Sequence, residues 1–186
     1  MALAIPGAIP GVPGPHFMQV AFVVDDLEAA AHRWVKTTGI GPFLVVPHIT
    51  LEEYSWRGEK RTGLDFSVAL AQSGGIQIEL IQQHCDSPSA YRDTIARGAL
   101  GFHHLAIYCE DYDAAYDHYR RQGFATAVDG VFGPLRFSYV DTSAAIGCMV
   151  ELVEQHESQS DFFRRVAEAA QDWDGVTDPL RSGFPA

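Results

Sequence analysis

Four polar residues stand inside otherwise apolar, strand-like stretches and are the residues of this chain best suited to chemistry. They are Gln19 in QVAFVV, Glu79 in IQIELIQ, His104 in HLAIYC and Glu151 in CMVELVE. A buried carboxylate is costly unless it is paired or bound to a metal, so the two glutamates require a compensating partner. Two carboxylates, one imidazole and one amide oxygen form a ligand set that suits octahedral coordination of a divalent cation. Such a site would leave two coordination positions for water or substrate.

An internal repeat relates these four residues to one another. The stretch MQVAFVVDDLEAAAHRWVKTTGIGPF is echoed later by GFHHLAIYCEDYDAAYDHYRRQGF, and an offset of 85 residues aligns Gln19 with His104. Farther along each copy, IQIELIQQ is echoed by CMVELVEQ, and an offset of 72 residues aligns Glu79 with Glu151. The alternative is that these side chains face solvent or hydrogen-bond one another. The repeat weakens that alternative, because chance does not place polar residues at equivalent positions of two copies.

The periodicity of apolar residues predicts an α+β protein built from two tandem βαβββ modules. A C-terminal helix is expected to follow the two modules. The predicted divisions are an arm rich in proline and glycine, module one, a short helical connector, module two and a helical tail, at residues 1–15, 16–84, 85–100, 101–155 and 156–186. The tail helix, over residues 158–173, is expected to dock outside the sheet or at a subunit contact.

Strand alternation also makes predictions for two further histidines. His103 should point to the face opposite His104, toward a helix or solvent, because successive residues of a strand alternate. His16, three residues before Gln19, would replace it as a ligand if the strand register slipped by one residue.

Composition limits the classes of function. The chain has 186 residues and a formal charge of −11, which argues against nucleic acid or an anionic membrane as a partner. The apolar N-terminus lacks the basic region of a secretory signal, so we expect a cytoplasmic protein. The three cysteines have no disulfide or metal-binding spacing. A basic patch at Arg57, Lys60 and Arg61 is interpreted as a solvated hairpin, with binding of a substrate anion as the alternative.

The paired βαβββ pattern, with a polar residue on the first and last strand of each module, resembles the vicinal oxygen chelate superfamily. This group includes glyoxalase I, methylmalonyl-CoA epimerase, extradiol dioxygenases and the fosfomycin and bleomycin resistance proteins. The resemblance covers about residues 16–155, and QVAFVVDDLEAAAHRWVKTTGIGPF is most similar to the glyoxalase-like branch. It implies that the two modules form a cupped, partly open, barrel-like sheet. It also implies one divalent metal ion (Zn, Ni, Co, Mn, Mg or Fe) held by Gln19, Glu79, His104 and Glu151.

The same resemblance implies an isomerase, epimerase or lyase that removes a proton next to a carbonyl group of a small substrate. Glu151 and Glu79 are the candidate bases, and the resemblance favours Glu151. A binding protein that sequesters a hydrophobic small molecule in the cup is an alternative. A ring-cleaving dioxygenase is a weaker one, because those enzymes hold Fe(II) with two histidines and one carboxylate. The resemblance leaves a homodimer open.

The substrate is expected to lie in a largely apolar cup, as small-molecule ligands usually do. The residues assigned to the lining of this cup are Tyr139, Phe137, Gln77 and Phe43. Packing in the core is the alternative for Tyr139 and Phe137.

Overall fold

The computed structural model describes residues 17–184, so the predicted arm at 1–15 and the alternative ligand His16 lie outside the described residues. The strands are β1 (Phe17–Val23), β2 (Phe43–Leu51), β3 (Tyr54–Trp56), β4 (Glu59–Arg61), β5 (Leu64–Ser73), β6 (Ile76–Gln83), β7 (Gly101–Cys109), β8 (Ala125–Phe132), β9 (Leu135–Asp141), β10 (Met149–Glu154) and β11 (Leu180–Ser182). The helices are α1 (Leu27–Thr38), α2 (Ala90–Thr94), α3 (Tyr112–Arg121), α4 (Ser143–Ile146) and α5 (Glu157–Ala170). None of the described helices is long and apolar enough to cross a membrane.

The strands form one curved, mixed sheet in the order β11-β2-β5-β6-β1-β7-β10-β9-β8-β3-β4. The order repeats on the two sides of the antiparallel pair β1–β7, since β6, β5 and β2 on one side match β10, β9 and β8 on the other. The register repeats as well. Ala21 pairs with Glu79 between β1 and β6, and Ala106 pairs with Glu151 between β7 and β10. The predicted α+β class, with its cupped open sheet and C-terminal helix, is confirmed.

Helices α1 and α3 cover the convex face of the sheet, each over its own apolar cluster. Both begin at a repeat-equivalent aspartate whose carboxylate accepts a hydrogen bond from a backbone N–H of the first turn. Asp26 accepts from Ala29 and Asp111 from Ala114, each at 2.9 Å. Such capping satisfies an N–H group that has no partner within the helix. Helix α1 ends at Gly39, whose φ of 75° is readily available only to glycine.

The C-terminal helix lies on the concave face, so its predicted position on the outside of the sheet is wrong. Phe163 and Val166 of α5 are buried in the same core cluster as Phe66, Val68 and Leu70 of β5. The concave face of an open cup exposes apolar side chains that need a cover, and an amphipathic helix provides one. The helical periodicity of the tail shows that one face must be buried, but not against which side of the sheet.

The segments outside the repeated strands add further structure. The connector contains the short helix α2, and the segment after β2 forms a hairpin, β3–β4, whose strand β3 pairs with β8 of the other module. The chain end contributes β11 to the edge of β2. These additions extend both edges of the sheet beyond the repeated core.

The repeated caps allow a stability test. Replacing Asp111 with Ala should lower the free energy of unfolding by about 1 kcal/mol, because the N–H of Ala114 loses its acceptor. Asp111→Asn should keep most of that stability, since an amide oxygen also accepts the bond. Urea unfolding followed by circular dichroism measures the difference. Equal stabilities of Asp111→Ala and Asp111→Asn would contradict a capping role.

Candidate metal centre and cavity

Four neighbouring strands at the centre of the sheet each place one polar residue on the concave face. In sheet order, β6 carries Glu79, β1 carries Gln19, β7 carries His104 and β10 carries Glu151. Most of their neighbours along the strands are apolar and buried, namely Met18, Ile78, Leu80, Val150 and Leu152. The repeat therefore brings four side chains that are far apart in sequence into one row across the sheet. This row of Glu79, Gln19, His104 and Glu151 is called the polar seam.

Glu79, His104 and Glu151 lie close enough to share one ion. Their donor atoms lie within 4.8 Å of one another. His104 Nε2 is 3.1 Å from Glu151 Oε2 and 3.5 Å from Glu79 Oε2. The imidazole is fully buried, and the two carboxylate side chains, of Glu79 and Glu151, are 12% and 11% exposed. Despite these distances, His104 Nε2 makes no well-aligned hydrogen bond within the described part of the chain.

The two carboxylates control the charge of the imidazole. Burial lowers the pKa of His104, but the negative charges of Glu151 and Glu79 outweigh burial and raise the pKa to about 9. Burial in turn raises the pKa of Glu79, and the charge of Glu151 adds to this effect. In the absence of another cation, His104 therefore carries a second proton at neutral pH and is positively charged.

His103 lies beside His104 in the same buried site, so the prediction that it faces away is wrong. Ala21 of β1 pairs with His104, whereas the next residue, Phe22, pairs with Phe102. The residue skipped between these pairs is His103, which forms a β-bulge in β7. A bulge interrupts strand alternation, so two consecutive side chains point to the same face. His103 is 1% exposed, and its Nδ1 is 2.8 Å from His104 Nδ1.

This contact determines which nitrogen of neutral His104 would carry the lone pair. His103 Nε2 lies 2.9 Å from the carbonyl oxygen of Ala90, and therefore it donates a proton to that oxygen. Burial, with the charge of His104 adding to it, lowers the pKa of His103 to about 3, so His103 is neutral. Its Nδ1 then has no proton and accepts the Nδ1–H of His104. When His104 loses its second proton, it therefore keeps the proton on Nδ1. The lone pair is then on Nε2, which faces Glu79 and Glu151.

Gln19 is oriented by a second glutamine, Gln77, which has no glutamine counterpart in module two. Its Nε2 donates to Gln77 Oε1 at 3.4 Å, and both residues are buried. The module-two equivalent of Gln77 is Met149, which pairs with His104 as Gln77 pairs with Gln19. With its nitrogen directed to Gln77, Gln19 has its amide oxygen as the atom suited to bind a cation.

The polar seam forms part of the wall of a cavity of about 380 Å³, a volume within the range of small-molecule sites. Most of the rest of the wall is apolar and comes from both modules, α5 and the chain end. Residues of this wall include Leu70, Phe137, Tyr139, Phe162, Phe163 and Arg165.

The structure brings together most of the residues expected to contact substrate. Tyr139 and Phe137 line the cavity, as do Gln19, Glu79 and Glu151. Gln77 is fully buried and bonded to Gln19. Phe43 lies in the cluster beneath α1 on the convex face, and so it is separated from the cavity by the sheet.

Other residues of the site were missed from sequence. Tyr91 of α2 lines the cavity, and its hydroxyl is 3.1 Å from that of Tyr139. Burial and the nearby carboxylates raise the pKa of both phenols well above 10, so both remain protonated. Tyr91 stands in a connector with no repeat partner, and the only signal for it was an aromatic residue in an amphipathic segment.

The residues at the seam fit a divalent cation. His104 Nε2 is a buried nitrogen without an aligned partner, and it faces two carboxylates across a space bordered by the Gln19 amide. This donor set is one nitrogen and three oxygens, which suits Zn, Ni, Co, Mn or Fe, and with less preference Mg.

A model of the Glyoxalase/Bleomycin resistance protein/Dioxygenase superfamily matches residues 18–139. A search of curated protein sequences gives no match to this chain.

Solved structures resemble the fold at low sequence identity. A hypothetical protein from Bacillus halodurans is 18% identical over 78% of this chain and 97% of its own, with a TM-score of 0.54. Methylmalonyl-CoA epimerase from Mycobacterium tuberculosis is 20% identical over 78% of this chain and 91% of its own, with a TM-score of 0.50. A Streptomyces coelicolor methylmalonyl-CoA epimerase variant, bound to 2-nitronate-propionyl-CoA, is 20% identical over 76% and 95%, with a TM-score of 0.51.

At these identities the structural likeness supports the fold alone. The family match is stronger, because it covers more than half of the chain, including β1, β7 and the Gln19, Glu79 and His104 positions. It confirms the resemblance inferred from the repeat. The chain belongs to the glyoxalase/bleomycin resistance protein/dioxygenase superfamily, the vicinal oxygen chelate group.

Proposed function

We propose that the chain is a divalent-metal-dependent isomerase, epimerase or lyase that acts on a small carbonyl compound through an enolate. The observation that carries this proposal is the buried Glu79–His104–Glu151 cluster in the wall of a largely apolar cavity. Gln19, Glu79, His104 and Glu151 would hold the ion. A bound divalent ion would supply a Lewis acid that stabilises negative charge developing on the substrate's carbonyl oxygen.

Glu151 is proposed as the base that removes the proton next to the carbonyl group. Its carboxylate lines the cavity and is 11% exposed, so it is accessible to a substrate without being fully solvated. Glu79 lies on the other side of His104, on β6. Because its pKa is raised by burial, Glu79 is suited to carry a proton and return it to another position or face.

The cavity favours a compact substrate with an apolar body. Among the described residues that line it, Arg165 is the one with a cationic side chain, and it already donates to the carbonyl oxygen of Gly183 at 2.8 Å. The basic patch offers little more, since Arg57 pairs with Asp93 and Asp141. A coenzyme A or glutathione conjugate would need cationic or polar partners that this wall supplies sparsely.

Sequestration of a hydrophobic molecule is the second candidate, and the apolar wall is the observation that favours it. The two functions differ in their need for the ion. A metal-free protein that binds carbonyl ligands with unchanged affinity, and that catalyses no proton exchange with any divalent ion, would support sequestration. The dioxygenase alternative finds less support in this cluster, which contains one histidine and two carboxylates.

The assignment of Glu151 as the base can be tested by hydrogen exchange. The protein reconstituted with each divalent ion in turn should exchange an acidic C–H of a carbonyl compound for deuterium, measured by proton NMR in D₂O. Glu151→Gln should slow this exchange by about 100-fold or more, as removal of a general base does. Glu154→Gln is the matched control, because Glu154 lies on the same strand but pairs with Arg136 away from the cavity. Equal exchange by wild type and Glu151→Gln would refute the assignment.

The proton that His104 holds in metal-free protein should make stability depend on pH. Its folded pKa of about 9 exceeds the usual 6.5, so its stabilisation is complete below about pH 6.5 and is lost as pH rises through 9. Chelator-treated protein should therefore lose on the order of 1–3 kcal/mol of stability between pH 7 and pH 9.5.

Denaturant unfolding at several pH values measures this loss. His104→Gln should remove the pH dependence, whereas His118→Gln, on the exposed face of α3, should retain it. A wild-type stability that does not fall over this interval would contradict the proposed charge state of the cluster.

His103 is expected to act as a positioning residue for His104. His103→Leu removes the acceptor for His104 Nδ1–H, so it should weaken metal binding by about 10- to 100-fold. His103→Asn can restore an acceptor at the position of Nδ1 and should recover part of the affinity. Equilibrium dialysis with the metal ion measures both variants. Equal metal affinities of the His103→Leu and His103→Asn variants, with both proteins folded, would exclude this role.

A further inference from the structure

A second group of potential ligands lies on the convex face of module one, away from the cavity. It consists of His48 on β2, Asp65 on β5 and His84, which follows β6 directly. Residues of β5 that line the cavity, Phe66 and Val68, alternate with Asp65 and therefore point to the other side of the sheet. The sheet thus separates this group from the Glu79–His104–Glu151 cluster.

A β-bulge in β2 directs His48 toward its neighbours. Val46 pairs with Val68 and Ile49 with Phe66, so β2 has one residue more than β5 in this interval. His48 has a φ of 49°, an uncommon conformation for a residue other than glycine. Its imidazole is turned over β5, where Nδ1 lies 3.1 Å from one carboxylate oxygen of Asp65 and 3.2 Å from the other.

The buried hydroxyl of Ser67 connects the two histidines. Ser67 Oγ accepts a hydrogen bond from the backbone N–H of His48 at 3.0 Å and lies 2.7 Å from His84 Nε2. Ser67 is 4% exposed, so it is a fixed point between them. The two imidazole rings lie 4.5 Å apart, centre to centre, at an angle of 31°. The main chain also contributes, since His84 N–H donates to the carbonyl oxygen of Asp65 at 2.9 Å.

We propose that His48, Asp65 and His84 form a second metal site, specific for a divalent transition-metal ion such as Zn²⁺, Ni²⁺ or Cu²⁺. One donor atom from each side chain lies within 4.8 Å of the others. Metal–ligand distances of about 2.0–2.2 Å require the donors to move somewhat closer together. His48 can make this movement because its side chain is 67% exposed.

The ligand types select the class of ion. Two imidazoles and one carboxylate suit Zn, Cu, Fe and Ni, whereas Mg²⁺ and Ca²⁺ require oxygen ligands. If His84 donates its Nε2–H to Ser67, its Nδ1 is the atom left to coordinate the ion. Ser67 then has the role that carboxylates and carbonyl groups commonly have behind a metal-binding histidine.

The test counts metal ions and locates them. Full-length protein, treated with chelator and then dialysed against NiCl₂, should bind two Ni²⁺ ions per chain. His48→Asn should bind one, because asparagine tolerates the left-handed backbone conformation but does not replace the imidazole. Asp65→Asn should raise the dissociation constant of the second ion by about tenfold or more. His118→Asn, in which an exposed histidine of α3 is replaced, should still bind two.

The position of the ion is read from amide NMR spectra. Paramagnetic Ni²⁺ should broaden the signals of residues 46–49, 64–67 and 83–85 in wild type, and these signals should stay sharp in His48→Asn. Unchanged signals elsewhere in the variant would show that it remains folded. Absence of broadening at residues 46–49, 64–67 and 83–85 in wild type, whatever number of ions it binds, would overturn the proposal. A second ion retained by His48→Asn would also overturn it, because the ion would then be bound elsewhere.

Discussion

Burial of two carboxylates around one imidazole at the centre of an apolar sheet is the constraint on which the site depends. Glu79 and Glu151 repel each other, and each would be strongly destabilised if it were ionised without a counter-charge. His104 lies between them, and its pKa of about 9 shows how strongly they attract a positive charge. A proton satisfies this demand in the metal-free protein, and the neutral imidazole tautomer makes the same position suitable for a divalent ion.

The sheet keeps these groups together through register and not through local sequence. Glu79 and Glu151 are each one strand away from the central pair β1–β7, at equivalent registers. A shift of either outer strand by one residue would turn its glutamate to the convex face. The apolar clusters beneath α1 and α3 oppose such a shift, since it would also expose their strand residues. Apolar packing on the convex face therefore keeps Glu79 and Glu151 on the concave face.

Sequence predicted the residues that obey the repeat and missed those that do not. Gln19, Glu79, His104 and Glu151 could be identified because strand alternation and two constant offsets are enough to place them on one face. His103 could not, because the bulge that turns it inward arises from how β1 and β7 pair, and β7 alone gives no sign of it. Tyr91 and the apolar face of α5 depend on how segments outside the repeat fold back over the cup. Their amphipathic patterns require burial but do not specify the partner surface.

Two β-bulges, one in β7 and one in β2, produce side-chain contacts that the internal repeat does not predict. In β7 an extra residue places His103 against His104, and in β2 an extra residue places His48 over Asp65. In a regular strand each histidine would alternate away from its partner. Bulges are tolerated where the disrupted backbone groups find other partners, and His48 N–H finds the Ser67 hydroxyl. The duplicated modules thus provide matched strands, and each bulge adds a contact that the repeat alone would not produce. The bulge in β7 places two histidines together on the concave face, and the bulge in β2 places a histidine beside a carboxylate on the convex face.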